Sequence, residues 1–171
     1  MKKLPILLLF SFILISNSCS SEKDEIQVEV DTTTSNIWDG PMISFSKADG
    51  ADFTLESNQD RITPNVWITR GNAGQIFNIA KESSADKADS PAGTLWAKGT
   101  VDNIDNLTFR PFRLGVGQPK AVVGSDLVLY LIEDNVYITV KFTSWSQGQK
   151  GGFAYQRSCL LYTSPSPRDR G

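Results

Sequence analysis

The sequence contains no histidine. That removes histidine-based triads, histidine general bases, most catalytic zinc sites and histidine-ligated copper. Cysteine is nearly as scarce. Cys19 and Cys159 are the only two, and both read as lying outside the folded domain, which excludes a disulfide, a cysteine–metal site or a cysteine nucleophile within it. Positive charge is not in excess: 17 Lys and Arg stand against 19 Asp and Glu, a net charge of −2. Over residues 19–158 the balance is 13 against 18, a net charge of −5. No basic stretch tracks a phosphate backbone, so nucleic acid is excluded as an expected partner. No segment sustains a 3.6-residue apolar period, so no long helix is predicted beyond the first residues. The phosphate-binding loop, the dinucleotide fingerprint and the nucleophile elbow are all absent; "TRGNAGQ" and "RLGVGQP" are glycine-containing turns that match none of them.

What is present is a succession of short strand-forming segments. Between Asn36 and Ser158, clusters of Asn, Gly, Asp and Ser recur every 8 to 14 residues. The pieces between them alternate in polarity: "MISFSK", "VWITR", "QIFNIA", "TLWAK", "LTFRPF", "LVLYLI", "VYITVKFT" and "GFAYQR". This spacing predicts an all-β domain over residues 36–158, an antiparallel β-sandwich of jelly-roll or Greek-key type. The clearest unit is a hairpin in which Leu127–Ile132 and Val136–Thr143 flank the turn Glu133-Asp134-Asn135. Alternation puts Val136, Ile138, Val140 and Phe142 on its core face, and Tyr137, Thr139, Lys141, Thr143 and Trp145 on the other. "ITPNVWIT" and "IEDNVYIT", 70 positions apart, share five of eight residues; two strands obeying the same turn-then-alternate pattern account for this, as does a duplicated half-sandwich.

The first 19 residues, "MKKLPILLLFSFILISNSC", combine Lys2 and Lys3 with an apolar run from Leu4 to Ile15. At 12 residues that run is too short to span a bilayer comfortably. The arrangement resembles a bacterial lipoprotein signal of the Bacteroidota type, departing from the usual pattern in having Ser16 three positions before the cysteine. The resemblance implies a signal peptide over 1–18, lipidation of Cys19, and an acidic and polar linker over 19–35. The cluster Glu22, Asp24 and Glu25 resembles the export signal of lipoproteins displayed on the outer membrane's outer face, and it also suits a solvated linker. The chain would then be anchored to the membrane through its N-terminal lipid. At the other end, residues 159–169, "CLLYTSPSPRD", resemble a transposase-library sequencing adapter translated in one frame. That makes 159–171 a non-native tail and puts the end of natural sequence near Ser158. "VKFTSWSQGQKGGFAYQRS" resembles the last hairpin of a CUB-type jelly roll, without that family's cysteine pairs or calcium ligands. "WDGPMISFSKADGADFT", "NQDRIT", "VWITRGN", "SPAGTLWAKGT" and "VKFTSW" together resemble an uncharacterised domain of secreted Bacteroidota proteins, which implies location and no activity.

Two residue groups carry candidate chemistry. In "KADGADFTLESNQD" the side chains of Asp49, Asp52, Glu56, Asn58 and Asp60 offer five oxygen donors within 12 residues, a composition from which calcium can draw several of its six to eight ligands. A solvated turn with its corner at Asp49-Gly50 has the same composition. The other group is aromatic. Four tryptophans, Trp38, Trp67, Trp96 and Trp145, are many for a domain of this size. An indole either caps the core or, when exposed, offers its face to the C–H surface of a sugar ring. Trp145 is the foremost ligand-binding candidate, beside the polar loop "SQGQKGG", with Tyr137, Lys141 and Trp67 as further candidates. A binding module for a polysaccharide or for an envelope protein is therefore expected, with no cofactor other than calcium. The enzymatic alternative is a small glycoside hydrolase using paired carboxylates, against which stands the little room a domain this small leaves for a deep cleft.

Overall fold

The computed structural model describes residues 36–160; the predicted signal, Cys19, the linker and the tail beyond Leu160 lie outside them. Among the described residues there are nine strands: β1 (Asn36–Trp38), β2 (Met42–Lys47), β3 (Asp60–Thr63), β4 (Val66–Arg70), β5 (Ile76–Asn78), β6 (Thr94–Lys98), β7 (Asp126–Leu131), β8 (Val136–Trp145) and β9 (Phe153–Ser158). The longest helical stretch among the described residues is a kinked 3₁₀ segment, Val101–Asn106, and the one α-helical turn is α1, Phe112–Gly115. The protein is all-β, as its alternating segments predict.

The strands form two sheets. The larger runs β2-β9-β8-β7-β6, with β1 added in parallel along the first residues of β8; the smaller is the meander β3-β4-β5. Strands β6 to β9 follow one another as an antiparallel meander, and β2 returns to lie beside β9, a Greek-key-like closure whose connection passes through the small sheet. Period-two alternation decides what each sheet buries. Val66 and Ile68 of β4 and Ile76 of β5 face Leu127, Leu129, Leu131, Val136, Ile138 and Val140 of β7 and β8 in one core, closed at one end by Trp96, Phe112, Phe142, Phe153 and Tyr155. The core face predicted for β8 is the one observed. The matching octapeptides behave alike: Val66 and Val136, and Ile68 and Ile138, are buried, while Trp67 and Tyr137 point outward from opposite sheets. Their turns meet, since Asp134 accepts hydrogen bonds from Thr63 Oγ1 (2.8 Å) and Asn65 Nδ2 (3.0 Å).

Three sequence expectations are corrected. The β7–β8 loop has four residues, Ile132–Asn135, because Leu131 pairs with Val136; Asn135 absorbs the turn at φ 50°. "LTFRPF" is not a strand. Only Arg110 pairs, as a bridge to Trp96, because Pro111 has no N–H to extend the ladder and its carbonyl instead opens α1. The segment wraps the β6 edge, laying Phe109 over Tyr130 and Tyr137 on the outer face and Phe112 against Trp96 in the core. Gly115 permits this wrap, since a Cβ there would lie 2.2 Å from the Trp96 carbonyl oxygen. Third, Cys159 does not stand clear of the domain: its backbone pairs with Gly40 and Pro41, prolonging the β2–β9 ladder, and its thiol is free.

β3 escapes the strand pattern because half of it is charged. Asp60 faces inward, opposite Ile68, and is buried with Arg157 of β9. Arg157 donates from Nε (2.7 Å) and Nη2 (2.8 Å) to its two carboxylate oxygens, and the Tyr155 hydroxyl donates at 2.6 Å. A bidentate pair with a third donor meets the condition under which buried charge is tolerated. Burial, and then the neighbouring Asp60 carboxylate, push the Tyr155 phenol well above its ordinary range.

Asp60→Ala leaves the Arg157 guanidinium buried and unpaired, and is expected to cost roughly 3–5 kcal/mol in urea unfolding. The raised Tyr155 pKa has a definite sign. Below the unfolded tyrosine pKa of about 10, its contribution is complete; above it, the unfolded chain releases a proton that the fold retains, and stability falls. The melting temperature of Tyr155→Phe is therefore expected to decline less steeply than that of the parent above about pH 10; parallel curves would refute this account.

Candidate functional site

Position 70 ends β4 with inward parity, so the strand delivers an arginine to the rim of the sandwich rather than to solvent. Among the described residues no carboxylate forms an ion pair with it. Nε donates to the Gly74 carbonyl at 3.1 Å, and Nη1 donates to those of Ser146 (3.0 Å) and Gly152 (2.9 Å). One guanidinium thus fixes the β4–β5 turn and both ends of the β8–β9 loop. Burial lowers the Arg70 pKa, partly offset by Asp49. Gly152 lets the loop lie against Asp49, because a Cβ there would be 2.2 Å from Asp49 Oδ1. Lys47, buried at the same end, donates to the Gly151 carbonyl at 3.4 Å; desolvation and then Arg70 lower its pKa, against Asp49 and Asp52.

The guanidinium carbon of Arg70 lies 4.0 Å from the ring centroid of Trp145. A bulge between Phe142 and Ser144 brings the indole there. The extra residue resets the alternation of β8, so Trp145 leaves the face of Tyr137 and Lys141, where the sequence pattern puts it, and turns to the core side. There it stacks on Phe112 (centroids 6.0 Å, 29°) and meets Phe142 and Phe153 at 5.7 Å and 6.4 Å. With Arg70 over the ring and Phe112 against it, Trp145 is half-buried, and what remains free of it borders a cleft.

That cleft has a volume of about 520 Å³, inside the ~300–1,000 Å³ range of small-molecule sites. Five stretches of chain converge on it: Gly74 and Gln75 before β5, Ala85 and Lys87 in the β5–β6 loop, Arg113 of α1, Gln118 to Lys120 in the next turn, and Trp145. Gln75 is buried. Its Nε2 donates to the carbonyls of Asp86 (2.7 Å) and Ser90 (3.0 Å), which fixes the amide's orientation. Its Oε1 is then the one buried side-chain polar atom among the described residues that finds no hydrogen-bond partner, an unmet acceptor of the kind that stands out in a folded interior.

The other candidates are dispersed. Tyr137 and Lys141 share the outer face of the large sheet as predicted. Tyr137 stacks on Tyr130 (4.5 Å, 19°), and burial, then Tyr130, then Asp105 raise its phenol pKa; Lys141 pairs with Asp126 at 2.9 Å. Trp67 lies on the outer face of the small sheet with the Arg61 guanidinium carbon 4.2 Å from its ring centroid. Nor do the four candidate calcium carboxylates converge. Asp60 is taken by Arg157 and Tyr155, and Glu56 pairs with Arg61 at 2.9 Å. Asp52 accepts from Thr54 N–H (2.9 Å) and Oγ1 (2.7 Å), bonds that lower its carboxyl pKa, and Asp49 lies 4.0 Å from Lys150. Among the described residues no three His, Cys, Asp or Glu side chains stand together as a metal site.

Sequence reasoning missed Gln75, Lys87 and Arg113 and the turn at Gln118, Pro119 and Lys120. The available signal was the polar run "RLGVGQPK", set aside as a glycine turn; nothing local ties it to Lys87 or Trp145. No protein-family model, curated protein or solved structure matches the chain.

Arg70→Met removes three charge-assisted bonds while keeping the stem. The expected loss is at least the roughly 1.5–3 kcal/mol of one such bond, read as a lower melting temperature. Calcium at millimolar concentration is expected to leave the melting temperature where a chelator leaves it; a rise with calcium would show that the carboxylates of 49–60 rearrange around it.

Proposed function

We propose that the protein is a non-catalytic binding module that takes a saccharide in the Trp145 cleft, held at the outer membrane by a lipid on Cys19. The observation that carries the reading is the coincidence in one cleft of an aromatic side chain, apolar surface from Ala85 and Pro119, and the polar side chains of Lys87, Arg113 and Gln118. Sugars present both counterparts, hydroxyls for the polar side chains and C–H faces for the apolar wall. The tryptophan acts by its free border, since Arg70 lies over the ring and Phe112 stacks on it. Among the described residues no pair of carboxylates, the requirement of the glycosidase alternative, lines the cleft.

A protein partner is the second reading, favoured by β2. It is an edge strand of the large sheet, and Met42 and Ile43 on it are 46% and 41% exposed. Free edges of this kind pair with added strands.

Calorimetric titration of the full chain with soluble polysaccharides tests the first reading. Saturable binding is expected, and Ala85→Trp, which fills the cleft from its half-exposed wall, is expected to abolish it while the variant still melts cooperatively. Binding that survives Ala85→Trp would move the site elsewhere, and absence of binding across neutral and acidic glycans would leave the β2 edge as the better reading.

A further inference from the structure

We infer that the cleft selects acidic saccharides, an inference that rests on the saccharide reading of the site. Among the described residues three charged side chains line it, and all are cationic: Lys87, Arg113 and Lys120. They arrive from two separate regions of the chain, one before β6 and two after it, so their convergence is a product of the fold. Each is exposed, and among the described residues none of them enters an ion pair. The acids beside Lys87 in sequence do not line the cleft. Asp86 instead turns its carboxylate onto its own loop, accepting from the N–H groups of Ala88 (2.7 Å) and Asp89 (3.3 Å).

This concentration of positive charge runs against the chain as a whole, whose net charge is −2. A cleft of one sign in a molecule of the other focuses the field on its mouth and draws ligands of the opposite charge. The apolar wall beside the cations has a different demand. A bare anion satisfies the lysines and arginine and leaves the free border of Trp145 and the surface of Ala85 and Pro119 without contact. A ligand whose acid groups stand on sugar rings satisfies both. Carboxylated and sulfated sugars share that chemistry.

The test compares affinities of the full chain for polygalacturonate and dextran sulfate with those for their uncharged counterparts, methyl-esterified pectin and dextran. Affinity for at least one acidic polymer is expected to exceed that for its neutral partner by tenfold or more, and to fall as sodium chloride is raised. The identity of the preferred polymer separates a carboxylate from a sulfate ester as the recognised group. The triple variant Lys87→Gln, Arg113→Gln, Lys120→Gln, changed only at exposed positions, is expected to lose the preference with its melting temperature kept. Neutral and acidic polymers bound equally would overturn selection by charge and leave the saccharide cleft standing. An acid preference that the triple variant keeps would place the attraction outside the cleft and overturn the inference as well. Binding of none of the four would remove both readings.

Discussion

Arg70 is the interaction on which the rim of this sandwich depends. Its guanidinium gathers three carbonyls from two loops and lies over the indole of Trp145. A carboxylate partner would have neutralised it through a single neighbour. Carbonyls spread the same charge over several points of backbone, so the cation acts as a clasp for chain segments rather than as half of a pair. The planar fork of arginine suits this role; an ammonium group has no fixed plane with which to cover an indole while bonding outward in several directions. The wall of the cleft therefore inherits its position from a residue that does not itself line it.

The fold admits charge at two further interior points, with a different solution at each. Asp60 and Arg157 join the small sheet to the large one through opposite charges with complementary geometry. Lys47 has a lone carbonyl at long range, and its ammonium is correspondingly disfavoured by burial. The contrast matters for how the two sheets find their alignment. Apolar side chains tolerate small slips of one sheet over the other, whereas a bidentate pair accepts one registration. Asp60 thus supplies an alignment that the aliphatic rows around it leave loose.

What was legible in the sequence follows the range of the cause. Period-two alternation is local, and it correctly gave β2, β4, β5, β6, β7, β8 and β9 and the buried face of Val136 to Phe142. It failed at β3 because Asp60 looks solvent-bound until Arg157, 97 positions away, is known. It failed at Trp145 because a bulge leaves no residue signature there, and one extra residue reverses every side chain beyond it. The acid-rich stretch from Asp49 to Asp60 read as a possible ligand set by composition, but composition says nothing of partners. The tryptophan was thus found as a residue and misplaced as a direction, while the cations around it stayed hidden because no short window contains all three.

The β8–β9 loop and the β4–β5 turn are clasped across 76 positions of chain. A contact of that span forms only after the intervening strands have been brought together, since the entropy of closing the loop must be met before the contact rewards it. The Arg70 rim is accordingly no separable patch built from one stretch of chain. It depends on the global fold, since the segments it joins stand 76 positions apart. A ligand seated there would be felt in the middle of the sheet.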